Sequence, residues 1–277
     1  MKARIRSLVT GVLAVALMAA GCGRLNNNTL TTEERDLANT ATDAAGMAES
    51  IVDIAAEQVV DAGSGDAASA AKGAKALGKE AGQIDYQETV VITDLDLNTV
   101  NANFTGTVTI TATGSVTDNL DGTGNVSYSV DVQRTSQVVY TNPVNGTVVT
   151  AEAGQGVTFD LSIDWASTDD QNWSIVYEAI AARPPIDLVV DKDADTYFVS
   201  VDAQRNETVT IAAVEGVLSI EYQLSGYREV SWTSSEGSHT VRWDVVSLQE
   251  ITLTIDDVVY GPHTAFEWWL LYQLTVE

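Results

Sequence analysis

The sequence predicts a mainly β fold: a large antiparallel meander curled into a barrel, half-barrel or sandwich, preceded by an Ala-rich helix or helical hairpin. Two observations carry this. From Leu37 to Val59 apolar residues recur at three- and four-residue steps, the period of one helix face. After Gln83 the period becomes two and stays so to the C-terminus, as in strands with one apolar and one polar face. That change of period is the main internal boundary, and it divides the chain into a leader (1–21), a tether (22–32), a helical segment (33–82) and a β domain (83–277).

The leader opens with Lys2, Arg4 and Arg6 and continues through an apolar run, Leu8 to Ala20, too short to be a stable membrane span. It ends at Ala19-Ala20-Gly21-Cys22, which contains the chain's one cysteine. Small residues directly before that cysteine resemble the lipobox of bacterial lipoproteins. Position three before the cysteine usually carries Leu, Val or Ile in that family; Ala19 is a tolerated departure. The resemblance covers only about the first 23 residues and gives no fold for the rest. It implies cleavage before Cys22, acylation of its thiol and new amine, and a place in the cell envelope. Gly23 stands where the family's inner-membrane retention signal has Asp, so the outer membrane is implied if the cell has two membranes. Several acyl chains anchor stably where one holds marginally.

Charge is the next constraint. The chain has 39 acidic residues against 14 Lys and Arg, a net charge of −25, and three of those basic residues lie in the leader. Such a body repels nucleic acid and anionic headgroups, which excludes a nucleic-acid partner and leaves membrane affinity to the lipid on Cys22.

Gly23 to Thr32, with Asn26-Asn27-Asn28, reads as a polar tether spanning at most about 35 Å. Thr32 followed by Glu33 and Glu34 marks a helix start, a hydroxyl cap and then carboxylates in the first turn. The stripe Leu37, Ala41, Ala44, Ala48, Ile51, Ala55 and Val59 extends that helix to about Ala62. Being mostly alanine, it suits close packing against another surface and not lipid insertion. Gly63-Ser64-Gly65 should break the helix, with a second one, or a flexible linker, over Asp66 to Ala81.

In the β domain, alternation predicts strands at Phe104 to Thr113, Val126 to Gln133, Val157 to Trp165, Trp173 to Ile180, Tyr197 to Val201 and Val209 to Ala213. It continues at Leu218 to Leu224, Val230 to Trp232, Val241 to Val245, Ile251 to Ile255 and Phe266 to Val276. Turn signals punctuate them: Asp121-Gly122, Asn145-Gly146, Gly154-Gln155-Gly156, Pro184-Pro185, Glu215-Gly216, Ser225-Gly226, Glu236-Gly237 and Gly261-Pro262. Short connections imply hairpins, and so many strands imply a sheet that curls over its apolar face. An outer-membrane barrel would alternate in the same way, but several strands carry only three or four apolar positions and the last residue is Glu277, where such barrels end in an aromatic.

For function the sequence offers three readings. The first is a non-catalytic envelope lipoprotein whose β body binds a protein partner or serves structurally. The second is a carrier sheltering an apolar ligand inside the curved sheet. The third is a calcium-stabilised surface or adhesion domain. For the third, Asp191, Asp193 and Asp195 place carboxylates at alternate positions of a turn, as a hard cation requires, although Thr196 and Asp202 stand where calcium loops of the EF-hand type have Gly and Glu. Asp118, Asp121 and Asn125 form a weaker candidate. Calcium aside, no cofactor is expected.

For catalysis there is neither a phosphate-binding glycine loop nor a Gly-x-Ser-x-Gly elbow, and the two histidines, His239 and His263, read as ordinary surface residues. The expectation is that the chain is not an enzyme.

Overall fold

In the computed structural model the described residues are 31–76, 84–119, 121–154, 156–169, 171–192, 195–234 and 237–265. The first element, α1 (Thr32–Ala76), is one continuous helix of 45 residues. It starts with a reciprocal cap. The Glu34 backbone N–H donates to Thr31 Oγ1 (3.2 Å), and the Thr31 N–H donates to Glu34 Oε2 (2.6 Å). The cap is therefore Thr31, one residue earlier than the spacing suggests.

The expected break at Gly63-Ser64-Gly65 does not occur. Glycine costs about 1 kcal/mol in a helix, which Ala-rich flanks can offset, and Gly63 has a packing role: a Cβ there would lie 2.3 Å from Tyr128 Oη. That hydroxyl donates to the buried Glu88 carboxylate at 2.7 Å, so the ring is held in place. Opposite effects are expected at two glycines of the one helix. Gly46→Ala, with open space around it, should stabilise by about 1 kcal/mol, whereas Gly63→Ala should destabilise by about 1 kcal/mol as overpacking exceeds the propensity gain. Chemical denaturation of the pair checks this, and equal shifts would mean that Tyr128 yields freely.

The strands are β1 (Ile84–Asp96), β2 (Phe104–Thr105), β3 (Thr107–Asp118), β4 (Thr123–Arg134), β5 (Val138–Thr141), β6 (Val148–Ala151), β7 (Gly156–Ser167), β8 (Trp173–Lys192), β9 (Asp195–Val214), β10 (Val217–Thr233), β11 (Ser238–Ser247), β12 (Glu250–Ile255) and β13 (Val258–His263). A single turn of helix, α2 (Leu97–Val100), follows β1. Every pairing is antiparallel, in the order β1-β3-β4-β7-β8-β9-β10-β11-β12-β13, with β2, β5 and β6 branching from β8. Among the described residues β1 and β13 are not paired with each other, so the sheet is curled but open.

Two predicted turns lie inside strands. Pro184-Pro185 falls within β8, where the register shifts between Arg183 and Ile186. Proline has no N–H to donate to the ladder, and the pair is passed over as a bulge without reversing the chain. Ser225-Gly226 falls within β10, with Gly226 at φ +133° and no room for a Cβ, which would meet Gln204 O at 2.0 Å. The predicted strand at Phe266 to Val276 lies outside the described residues.

Helix and sheet share one core. α1 packs against β1, β3, β4 and every strand from β6 to β12. Ala38, Ala41, Ala44, Ala45 and Met47 are fully buried, as are Phe104, Ile110, Val130 and Leu253 on the sheet. The buried surface of α1 is wider than the alanine stripe, because the sheet wraps around it. Asp43 is covered too, its carboxylate accepting from Asn142 Nδ2 (2.6 Å) and Asn145 Nδ2 (2.9 Å). Alternation puts Trp165, Trp173, Trp232, Trp243 and Trp268 on the apolar, inward face; Trp232 and Trp243 are buried, Trp165 and Trp173 are half-buried, and Trp268 lies outside the described residues.

Candidate functional site

Between α1 and the long strands runs a layer of partly buried charge, with Glu207 its buried member. Arg205 on β9 faces inward, donating to Asp53 Oδ1 of α1 (3.0 Å) and to Glu207 Oε2 (2.6 Å). Burial opposes the Arg205 charge, but the Asp53 and Glu207 carboxylates outweigh it and hold its pKa above the ordinary value. Burial pushes the Glu207 carboxyl up, more than Arg205 pulls it down, and it pushes the Tyr222 hydroxyl up to about 12. One turn earlier on α1, Glu49 accepts from Arg228 Nη1 (3.2 Å), and the same guanidinium lies 4.4 Å from the Trp243 ring centre. Each arginine ties the helix to the sheet. Nearer the N-terminus Lys192 Nζ stands 3.9 Å from Asp36 and 3.4 Å from Thr40 Oγ1, which places the β8–β9 hairpin beside the first turns of α1.

The outer surface above that hairpin holds a groove of about 830 Å³. Cross-strand register explains its lining. Thr150, Val189 and Phe198 stand in one row across β6, β8 and β9. Asp187, Ser200, Ser231 and Thr240 form the next row across β8, β9, β10 and β11. Directly paired residues share a face, and their neighbours Leu188, Val199, Val201 and Val230 are buried on the other, so these rows face solvent. Phe198 is 75% exposed, an aromatic surrounded by hydroxyls with the carboxylates of Asp187 and Glu152 beside it. Such a lining suits an uncharged or cationic ligand that combines an apolar face with hydroxyls, and it repels anions.

On the inner face behind the groove His239 is paired with Trp232, ring centres 5.5 Å apart, with its side chain only 12% exposed. His239 Nδ1 is 2.8 Å from Asp256 Oδ2, and its Nε2 is 3.2 Å from Ser234 Oγ. Asp256 Oδ1 accepts from the Thr240 N–H at 2.8 Å. His239 is thus not the surface residue its sequence context suggests. Its partners come from the β10–β11 and β12–β13 turns, which no contiguous motif could reveal. His263 lies on β13 opposite Ile251.

The sequence-predicted sites fall as follows. Cys22 lies outside the described residues. Asp191 and Asp195 are on opposite strands of the β8–β9 hairpin, where Asp191 accepts from Thr196 Oγ1 at 2.6 Å; Asp193 lies outside the described residues. Asp121 accepts from the N–H and the hydroxyl of Thr123, which hold its carboxyl below the usual range. Asn125 bonds instead to Asp164 (2.7 Å). Among the described residues no group of three acidic, His or Cys side chains is arranged to hold a metal ion.

No protein family matches the chain, and no curated protein or solved structure is similar to it.

Proposed function

We propose that this chain is a bacterial envelope lipoprotein, attached through a thioether on Cys22, whose helix-filled β body is a binding module. The observation that carries the anchor is the basic and apolar leader ending in Ala19-Ala20-Gly21-Cys22. Two features support binding at the outer groove and not inside the sheet. The concave side is occupied by α1, and the exposed aromatic and hydroxyl-rich rows lie on the opposite face. The tether from Cys22 to the Thr31 cap is at most about 35 Å long, so the body is held close to the membrane surface.

Cys22→Ser is expected to release a folded protein from the membrane. Fractionation with native mass spectrometry reads both location and acyl mass. A Ser variant that stays membrane-bound, or an unmodified signal-cleaved wild type, would overturn the anchor. Phe198→Ala should leave folding intact and weaken whatever copurifies in the groove.

A further inference from the structure

We propose that the outer groove binds an uncharged oligosaccharide, which lies across the strands with one sugar stacked on Phe198. This deepens the binding role proposed above and rests on it, by naming the class of ligand the groove takes.

A sugar ring has apolar C–H faces and a rim of hydroxyls, and the groove offers a partner for each. Its floor carries two parallel rows. Thr150, Val189 and Phe198 make the first, which is apolar at Val189 and at the 75% exposed Phe198. Asp187, Ser200, Ser231 and Thr240 make the second, which is polar throughout. Phe198 and Ser200 are successive residues of one face of β9, so the rows lie about 7 Å apart along the strands. A ring stacked on Phe198 therefore brings its rim over Ser200. Within a row, neighbouring side chains stand about 4.8 Å apart, close to the length of one pyranose unit. The second row thus presents a hydrogen-bonding group from each of β8, β9, β10 and β11 to successive sugars of a linear chain.

These groups are held ready. Among the described residues the side chains of Asp187, Ser200, Ser231 and Thr240 hydrogen-bond to no other part of the chain. Strand pairing fixes their spacing, so little order is lost when a ligand engages them. Other ligand classes fit less well. An anion would meet the carboxylates of Asp187 and Glu152, and no Lys or Arg is among the described residues lining the groove. A fatty chain would dehydrate the polar row without giving it partners. A cation would satisfy Asp187 but not the three hydroxyls beside it. Sugar hydroxyls donate to the carboxylates and both donate to and accept from Ser and Thr. The groove's volume of about 830 Å³ holds several sugar units.

The test uses the full chain purified in detergent and neutral hexasaccharides of glucose, mannose, galactose and N-acetylglucosamine, titrated by calorimetry to millimolar concentration. At least one is expected to bind, with an affinity that added salt leaves unchanged, since no ion pair forms. Phe198→Ala should weaken that binding about tenfold, and Phe198→Trp should keep or strengthen it. Asp187→Asn and Ser231→Ala should each weaken it several-fold at an unchanged melting midpoint, because none of these side chains belongs to the core. The proposal fails if no hexasaccharide binds, or if Phe198→Ala binds as tightly as wild type. Hexalysine, titrated in parallel, separates that failure from failure of the binding role. If hexalysine alone binds, and Asp187→Asn weakens it, the groove remains a binding site and the saccharide proposal falls. If neither probe binds and native mass spectrometry finds nothing copurified with wild type, both fall.

Discussion

Replacing Arg205 with Met is expected to lower the unfolding free energy by about 3 kcal/mol, near the lower end of what breaking a buried ion pair by removing one partner costs. The effect comes from what is left behind. Glu207, with a side chain only 7% exposed, would lose the cation that compensates its burial, and Asp53 would lose its partner on the sheet. Asp53 is 39% exposed and can be hydrated, which keeps the figure from being larger. Removing both charges on β9, as Arg205→Met with Glu207→Leu, should recover most of the loss. Urea denaturation of the single and double variants measures this, and a single variant costing under about 0.5 kcal/mol would show that water already solvates the layer.

The same layer sets a pH dependence. Burial raises the Glu207 carboxyl above its unfolded value, so its contribution to stability is fully present below the unfolded value near 4.3 and lost as pH rises through the folded one. Glu34 works in the opposite direction. The Tyr260 hydroxyl, then the Thr31 N–H, hold its carboxyl low, so its contribution is present above the unfolded value and lost as pH falls through the folded one. Glu207→Gln should therefore flatten the gain in melting midpoint on mild acidification, while Tyr260→Phe should reduce the loss at lower pH. Melting curves across that range distinguish the two.

How much of this was legible in the sequence differs from residue to residue. Period two located the strands because one face had to be apolar, and Trp232 and Trp243 are buried where alternation put them. Strand length was not legible. Residues Tyr197 to Val201 and Val209 to Ala213 looked like two strands, but they are parts of one, β9, whose inward positions between them include Arg205 and Glu207. Charged residues on the inner face broke the apolar signal although the backbone alternation continued. Pro184-Pro185 and Gly226 misled for a related reason: the residues that favour a reversal also serve bulges and close strand approach, and only a partner strand decides between them. The groove was hidden because its rows cross β6, β8, β9, β10 and β11, so they exist only once register is known. Ser234, His239 and Asp256 were hidden likewise, His239 being 5 residues from Ser234 and 17 from Asp256. The helix face was visible, but the enclosure of its other faces was not, since an alanine stripe does not report how far a sheet will curl around it.

That enclosure leads to the largest expected effect: a chain lacking α1 should not fold. Burying Met47, Ile51, Val52, Ile54 and Val59 of the helix is worth about 1.5–3 kcal/mol for each side chain, on the order of 10 kcal/mol together. A whole domain's net stability is about 5–15 kcal/mol. Without the helix, Ile110, Val130, Leu188, Val201 and Leu253 would form an apolar concave surface open to water, and Glu207 and Arg228 would face it with Asp53 and Glu49 gone. Residues 84–277 expressed alone should aggregate or bind hydrophobic dyes without a cooperative melting transition. Supplying residues 31–76 as a separate peptide should restore the transition, because the contacts between helix and sheet need no covalent link once both are present. A helix-less chain that melts cooperatively by itself would show that the sheet closes on its own apolar face, and α1 would then be a tenant of the β body and not its core.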